Sequence, residues 1–360
     1  MTRILLADDS AIFVHALTGI LEADGDMKVV AVAENGQQAH EMTANVQPDL
    51  VVMDVHMPVM GGLEAIEEIM ARTPTPILVL TSDPRADASD FIFDAIERGA
   101  LELIRKPEEF DTQAPKAKML RNKARLLAGV SVVRRSKRDA RTRAKPVWQR
   151  AMQAPEAPPS TPPMETRAVT RVVGIVSSTG GPAALAGLLE QLPEDFPAPI
   201  AVVQHLSPGF AETFASWLDS VSPLSAHVAT HGERLKAGHV YIAPDDHHLT
   251  VDELGHLMLE AADGDTTHVP SGTRLLESLS RAFGRRSVGV VLTGMGDDGA
   301  DGLNAIKERG GLTLVQSPDS CVVASMPQSA INRGCVDQQL PVAELSAAID
   351  TAVRAGAAPE

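Results

Sequence analysis

The stretch that decides the fold is Arg171-Val-Val-Gly-Ile-Val-Ser-Ser-Thr-Gly-Gly181, followed at once by Pro182 and an apolar run. A short continuous segment rich in Val and Ile reads as a buried strand, and Pro182 suits the first position of a helix. The two serines, Ser177 and Ser178, therefore stand on a strand-to-helix turn. Such a turn offers a hydroxyl at the carboxyl end of a sheet. Gly180 and Gly181 leave backbone N–H groups uncovered at a helix N-terminus, where negative charge is favoured. The turn departs from the G-x-S-x-G elbow, because Val176 stands two before Ser178. Taken alone it fits an ordinary phosphate-binding or structural turn as well as an acyl-transfer nucleophile.

Downstream of the turn the same grammar repeats. Pro182 to Leu192 reads as a helix, Pro199 to Val203 as a strand ending in Gln204-His205, and Val288 to Leu292 as a strand followed by Thr293-Gly-Met-Gly-Asp-Asp-Gly299. In a doubly wound parallel sheet the carboxyl ends of the strands face one crevice. Ser178, His205 and the aspartate pair Asp297-Asp298 are thereby brought to one side of the sheet. A serine nucleophile needs a neighbouring base, and the base needs a carboxylate to fix its tautomer, so these are the parts of a triad. Their order, Ser, His, Asp, differs from the Ser, Asp, His order of the α/β-hydrolases and argues for a separate fold. Eleven histidines are present, so spacing alone does not single out His205. Adjacent His247 and His248 make a poor chelate without two further spaced ligands and read as structural or rim-lining.

Upstream, the first hundred residues alternate strand and helix as well. Arg3 to Ala7 ends in Asp8-Asp9, a helix runs from about Ser10 to Ala23, and Lys28 to Ala33 is a second strand. A helix from Gly36 to Asn45 leads to Leu50 to Met53, which ends in Asp54; Ile77 to Leu80 ends in Thr81, and Leu101 to Ile104 leads to Lys106-Pro107. The strand rule gathers Asp8, Asp9, Asp54, Thr81 and Lys106 around one crevice. Converging carboxylates repel unless they share a hard cation, so a Mg²⁺ site is implied, with Lys106 and Thr81 available to an added anion. The chemistry this points to is transient phosphorylation of Asp54.

Between these two regions the chain changes character. Residues 111 to 150 carry thirteen Lys or Arg against two Asp, and Met152 to Met164 contains Pro155, Pro158, Pro159, Pro162 and Pro163. This reads as a flexible or extended linker. A helical pattern through Met119, Leu120, Leu126, Leu127 and Val130 either closes the first domain or opens the connector. The expected domains are therefore 1–112, a basic and Pro-rich linker 113–168, and 169–355. Length and composition agree, since 360 residues with 44% hydrophobic content suffice for two cores. A net charge of −15 argues against nucleic acid as a partner. Cys321 and Cys335 lack metal-type spacing, which makes a reducing compartment the simpler assumption. With no basic leader and no apolar stretch of 18 residues, the expectation is a cytoplasmic protein without membrane insertion.

Two resemblances sharpen this reading. Residues 1 to about 110 resemble a bacterial response-regulator receiver, a flavodoxin-like domain, through Leu6-Ala7-Asp8-Asp9-Ser10, Met53-Asp54-Val55-His56-Met57-Pro58, Thr81 and Lys106-Pro107. The resemblance implies Asp54 as phosphoacceptor, Asp8, Asp9 and Asp54 as Mg²⁺ ligands, Thr81 as the switch hydroxyl and Lys106 as the salt-bridge partner of the phosphate. Receivers often carry an aromatic switch residue three before the lysine, where this chain has Leu103.

Residues 171 to about 350 resemble the catalytic domain of the protein-glutamate methylesterase (CheB) family, a doubly wound parallel-sheet domain with a small antiparallel hairpin. The likeness lies in Ser178-Thr179-Gly180-Gly181-Pro182, Gln204-His205, Val240-Tyr241-Ile242-Ala243-Pro244 with His248-Leu249, and Leu292 through Gly299. It implies Ser178 as nucleophile, His205 as general base and acid, Asp298 as orienting carboxylate, and the N–H groups of Thr179 and Met295 as oxyanion donors. It implies no cofactor for the ester chemistry, methylated chemoreceptor cytoplasmic helices as substrate, glutamine deamidation as a second activity, and a chemotaxis histidine kinase as phosphodonor. Where the family usually reads Gly-Ala-Ser-Thr-Gly-Gly, this chain reads Val176-Ser177-Ser178-Thr179-Gly180-Gly181.

Overall fold

A computed structural model describes residues 1–81, 93–107, 109–132, 171–262 and 268–355. The chain forms two compact units, taken here one at a time. Of the segment read as a linker, 113–168, residues 133–168 lie outside the described residues.

The first unit is a five-stranded parallel sheet. Its strands are β1 (Thr2–Ala7), β2 (Met27–Ala33), β3 (Leu50–Asp54), β4 (Ile77–Thr81) and β5 (Glu102–Arg105), in the order β2-β1-β3-β4-β5. β3 and β4 are buried along their whole length, as expected of parallel strands covered on both faces. Between them run α1 (Ala11–Glu22), α2 (Gly36–Val46), α3 (Gly62–Arg72) and α4 (Asp94–Arg98). The chain leaves β1 for β2 on one side and returns to β3 on the other, so the crevice opens past the ends of β1 and β3. A last helix, α5 (Pro115–Leu127), buries Ala117, Leu120, Ala124 and Leu127. Each leucine so buried is worth about 1.5–3 kcal/mol. Arg121 and Arg125 of this helix pair with Asp24 at 2.9 and 3.0 Å, and Lys123 pairs with Glu102 at 3.0 Å, which ties α5 to the receiver unit.

The second unit is a seven-stranded parallel sheet in the order β14-β13-β12-β6-β7-β9-β8. At its centre lies β6 (Val172–Ser177), with α6 (Gly181–Leu189) after it, then β7 (Ile200–Gln204), α7 (Ala211–Val221), β8 (Ser225–Val228) and β9 (His239–Ile242). β10 (His247–Val251) and β11 (Leu257–Ala261) form the small antiparallel hairpin, closed at Asp252, whose carboxylate accepts the N–H groups of Leu254 and His256. Then come α8 (Gly272–Phe283), β12 (Ser287–Val291), α9 (Ala300–Glu308), β13 (Leu312–Gln316), α10 (Ser325–Asn332), β14 (Gln338–Leu340) and α11 (Val342–Ala355). From β6 the chain builds the sheet outward on one side through β7, then crosses to β12 on the other. The switch point is thus the carboxyl end of β6, flanked by the ends of β7 and β12. α6 begins at Gly181, one residue earlier than Pro182 predicts, because Gly180 takes a left-handed φ of 76° and caps it.

Candidate active site

Ser178 follows β6 directly and is almost wholly buried. Its N–H donates to the Thr293 carbonyl at 3.1 Å and its own carbonyl accepts from Gly181 N–H at 2.8 Å, so the turn is pinned from both sides. Close approach explains the glycines. A Cβ on Gly181 would stand 2.1 Å from Gln204 Oε1, and one on Gly294 would stand 2.8 Å from the Ser178 Cβ.

The adjacent Ser177 is spoken for. Fully buried, it donates to Gln204 Oε1 at 2.6 Å, while Gln204 Nε2 donates to the carbonyls of Ser178 at 2.8 Å and His205 at 3.0 Å. One amide side chain therefore locks the two strand ends to each other. Val176 is accommodated by two glycines, since a Cβ on Gly272 would come within 2.1 Å of its Cγ1 and one on Gly299 within 3.3 Å.

His205 stands just past β7, its N–H donating to the Ser177 carbonyl at 3.0 Å. Its Nε2 lies 2.9 Å from Asp298 Oδ2, which leaves Nδ1 as the ring nitrogen available to a serine proton. Asp298 is held from several directions. Its Oδ2 accepts the Gly272 N–H at 2.6 Å, and its Oδ1 accepts the N–H groups of Thr273 at 2.9 Å and Gly299 at 3.0 Å and the Ser271 hydroxyl at 3.2 Å. Gly272 and Thr273 open α8, so the carboxylate sits on a helix N-terminus. Burial pushes its pKa up, but the hydrogen bond and charge of His205 and the Thr273 and Gly272 amides outweigh it and hold the carboxyl well below the usual range. Asp297, by contrast, is exposed on the rim, 3.7 Å from Arg333.

Thr179 is buried and Met295 exposes its side chain at the lip of the site. Among the described residues, neither backbone N–H is taken up by a protein acceptor. Three groups support the site without having been singled out for a role in it by the sequence. Gln204 and Ser271 act through hydrogen bonds across the fold, and His268 stacks on His205 with ring centroids 4.7 Å apart and planes 4° from parallel. His248 is fully buried and its Nδ1 accepts the Ser271 N–H at 3.1 Å, a structural role at the start of α8.

The crevice of the first unit has a different electrostatic character. Lys106 Nζ reaches Asp8 Oδ2 at 2.7 Å and Asp54 Oδ2 at 2.8 Å, and sits 4.5 Å above the Phe13 ring. Carboxylate oxygens of Asp8, Asp9 and Asp54 all lie within 4.8 Å of one another, with Asp9 exposed. Among the described residues, Asp54 Oδ1 and the buried Thr81 hydroxyl have no hydrogen-bond partner. Burial raises the Asp54 pKa and the Asp8 charge adds to it, against the pull of Lys106. Three clustered carboxylates, one with an unsatisfied buried oxygen, beside an ammonium and an unsatisfied hydroxyl are the donor set that a hard cation and an anion would satisfy. Leu103 is a buried residue of β5.

An acidic cluster of this kind on a five-stranded parallel sheet stands in one chain with a serine crevice on a seven-stranded parallel sheet, and comparison with known proteins shows what class of protein combines them. Residues 4–114 match the response regulator receiver domain family and residues 173–349 match the CheB methylesterase family. The protein-glutamate methylesterase/protein-glutamine glutaminase 2 of Anaeromyxobacter dehalogenans is 42% identical over 352 residues, 96% of each chain. Its counterpart numbered 3 in Paramagnetospirillum magneticum is 41% identical, over 99% of this chain and 98% of that one. Among solved structures, the Thermotoga maritima CheB methylesterase catalytic domain is 38% identical and covers 50% of this chain and 97% of that one, with a TM-score of 0.49. The chain belongs to the CheB family of receiver-linked protein-glutamate methylesterases. No helix among the described residues is long and apolar enough to cross a membrane.

Proposed function

We propose that this chain is a cytoplasmic, phosphorylation-controlled serine hydrolase that removes methyl esters from glutamate side chains on chemoreceptor cytoplasmic helices and deamidates glutamines there. The observation that carries the reading is the 2.9 Å His205–Asp298 pair, its carboxylate anchored on a helix N-terminus, at the sheet switch point where Ser178 stands. Ser178 Oγ attacks the γ-carbonyl and its proton passes to His205 Nδ1, while Asp298 stabilises the imidazolium. The N–H groups of Thr179 and Met295 receive the oxyanion. As the tetrahedral intermediate collapses, the C–O bond to the methoxy group breaks and His205 returns the proton, so methanol leaves. Water then adds by the same route and frees glutamate and Ser178. With a glutamine substrate the leaving group is ammonia.

In the receiver, Asp54 is the phosphoacceptor and a chemotaxis histidine kinase the donor. Asp8, Asp9 and Asp54 would hold Mg²⁺, which supplies charge neutralisation at the phosphoryl oxygens. Lys106 and the unpartnered Thr81 hydroxyl are the groups that meet the added phosphoryl. The test is methanol release from methylated chemoreceptor membranes, with and without a small phosphodonor and Mg²⁺. Release is expected to rise with phosphodonor and to fall by about 10⁴-fold or more in Ser178→Ala. Undiminished release by that variant would remove Ser178 from the chemistry.

A further inference from the structure

One loop touches both members of the His–Asp pair. Ser271, Gly272 and Thr273 bind the Asp298 carboxylate, and His268, three residues before Ser271, lies flat against the His205 ring. Asp298 grips His205 through Nε2 alone, and Nε2 lies nearly opposite Cγ, so this one hydrogen bond does little to oppose rotation of the ring about Cβ–Cγ. A second ring parallel to within 4° closes one face and opposes that rotation. We propose that His268 is a positioning residue of the hydrolase reaction: stacked on His205, it fixes the plane in which Nδ1 meets Ser178 and offers an aromatic face to the imidazolium formed during proton transfer.

This inference rests on the hydrolase reading. The groups acting on His268 electrostatically are His205, Asp298 and Asp297. Burial and then the charge of His205 lower its pKa, against the two aspartates, which favours the uncharged ring. An uncharged ring attracts a cation stacked on it. Transfer of the serine proton to His205 places a cation against this ring, so loss of the stack is expected to fall on the turnover step more than on binding.

The experiment is labelling of the full-length protein by a fluorophosphonate probe, resolving the maximal inactivation rate from the half-saturating concentration. Ser178→Ala serves as the blank. The variants are His268→Ala, His268→Gln, which keeps the reach but not the ring, and His268→Phe, which keeps the ring but cannot titrate. The Ala and Gln variants are expected to lose about 10- to 100-fold in maximal rate, with half-saturation changed less than about 2-fold, while Phe recovers to within about 3-fold of wild type. Wild-type-like rates in the Ala and Gln variants, or equal impairment of all three, would overturn the stacking role and leave the hydrolase reading standing. A wild-type protein that takes no label at Ser178 would overturn the hydrolase reading itself, and this inference with it.

Discussion

The two crevices of this chain are built by one rule and finished in opposite ways. Each lies at the carboxyl ends of parallel strands where the winding reverses, and each is organised around a buried aspartate. Asp298 is saturated: two helix amides, a third amide, a hydroxyl and an imidazole surround it, and its pKa is driven down. Asp54 is left short. Oδ2 meets Lys106 and the His56 amide also favours the charged form, but Oδ1 has no hydrogen-bond partner among the described residues, Asp8 adds like charge, and burial drives its pKa up. A saturated carboxylate is fixed machinery, since every lone pair is already spent on holding an orientation. An under-satisfied one is a place for something to arrive, and in the function proposed above the phosphoryl group and the cation would supply what the fold withholds.

The largest expected effect comes from Asp298→Asn. The amide turns an N–H towards donors that need an acceptor and leaves His205 without a carboxylate partner, so turnover should fall by about 10³–10⁴-fold. Stability of the second unit should fall by about 3–5 kcal/mol, as when one partner of a buried pair is removed. The pH dependence follows from the depressed folded pKa. The wild-type advantage is complete above about pH 4 and shrinks as pH falls through the folded value. Asp297→Asn, on the exposed rim, is the control that should leave both nearly intact. Similar losses in both variants would erase the distinction between the two aspartates.

Asp54→Asn should behave in the opposite sense. Phosphodonor stimulation is lost while basal release persists, and the receiver's unfolding transition moves up by a few degrees because a buried, repelled charge is gone. Here the folded pKa is raised, so the wild-type deficit is complete above that value and disappears as pH falls from there to about 4. A destabilised receiver in Asp54→Asn would mean that Lys106 holds Asp54 more strongly than burial opposes it.

How much of this was legible follows from where the chemistry stands. Asp8, Asp54, Thr81, Lys106, Ser178 and His205 each end or closely follow an apolar run, and strand ends are what a single sequence displays best. Asp297 and Asp298 are indistinguishable by that signal. What separates them is the start of α8, which points its amides at Asp298 alone from 26 residues upstream. Ser177 likewise reads as a rival nucleophile until Gln204, 27 residues downstream, is seen to hold its hydroxyl. Val176 reads as an intruder until Gly272 and Gly299 are seen to make room for it. His268 follows no strand and joins no periodic pattern, so its stacking on His205 is visible only in three dimensions. Local sequence thus shows which residues reach the crevice, and contacts across the fold decide what each does there.

Two buried hydroxyls give the smallest and sharpest test of the contrast. Ser177 Oγ is satisfied by Gln204, and Thr81 Oγ1 has no partner among the described residues. Removing the first in Ser177→Ala strands Gln204 Oε1 in a dry interior, a cost of about 1–3 kcal/mol. It also loosens the amide that joins the Ser178 and His205 strand ends. Removing the second in Thr81→Val exchanges an orphaned hydroxyl for a methyl of similar shape. Stability should then stay within about 0.5 kcal/mol of wild type or rise, because no partner is abandoned. The functional order reverses: Thr81→Val should blunt the phosphodonor response, while Ser177→Ala should keep that response at a lower basal rate. Denaturant midpoints of the two units, measured alongside methanol release, separate these outcomes. If Thr81→Val were the more destabilising of the two, its hydroxyl would have a partner after all, and the receiver crevice would be as closed a piece of machinery as the esterase site.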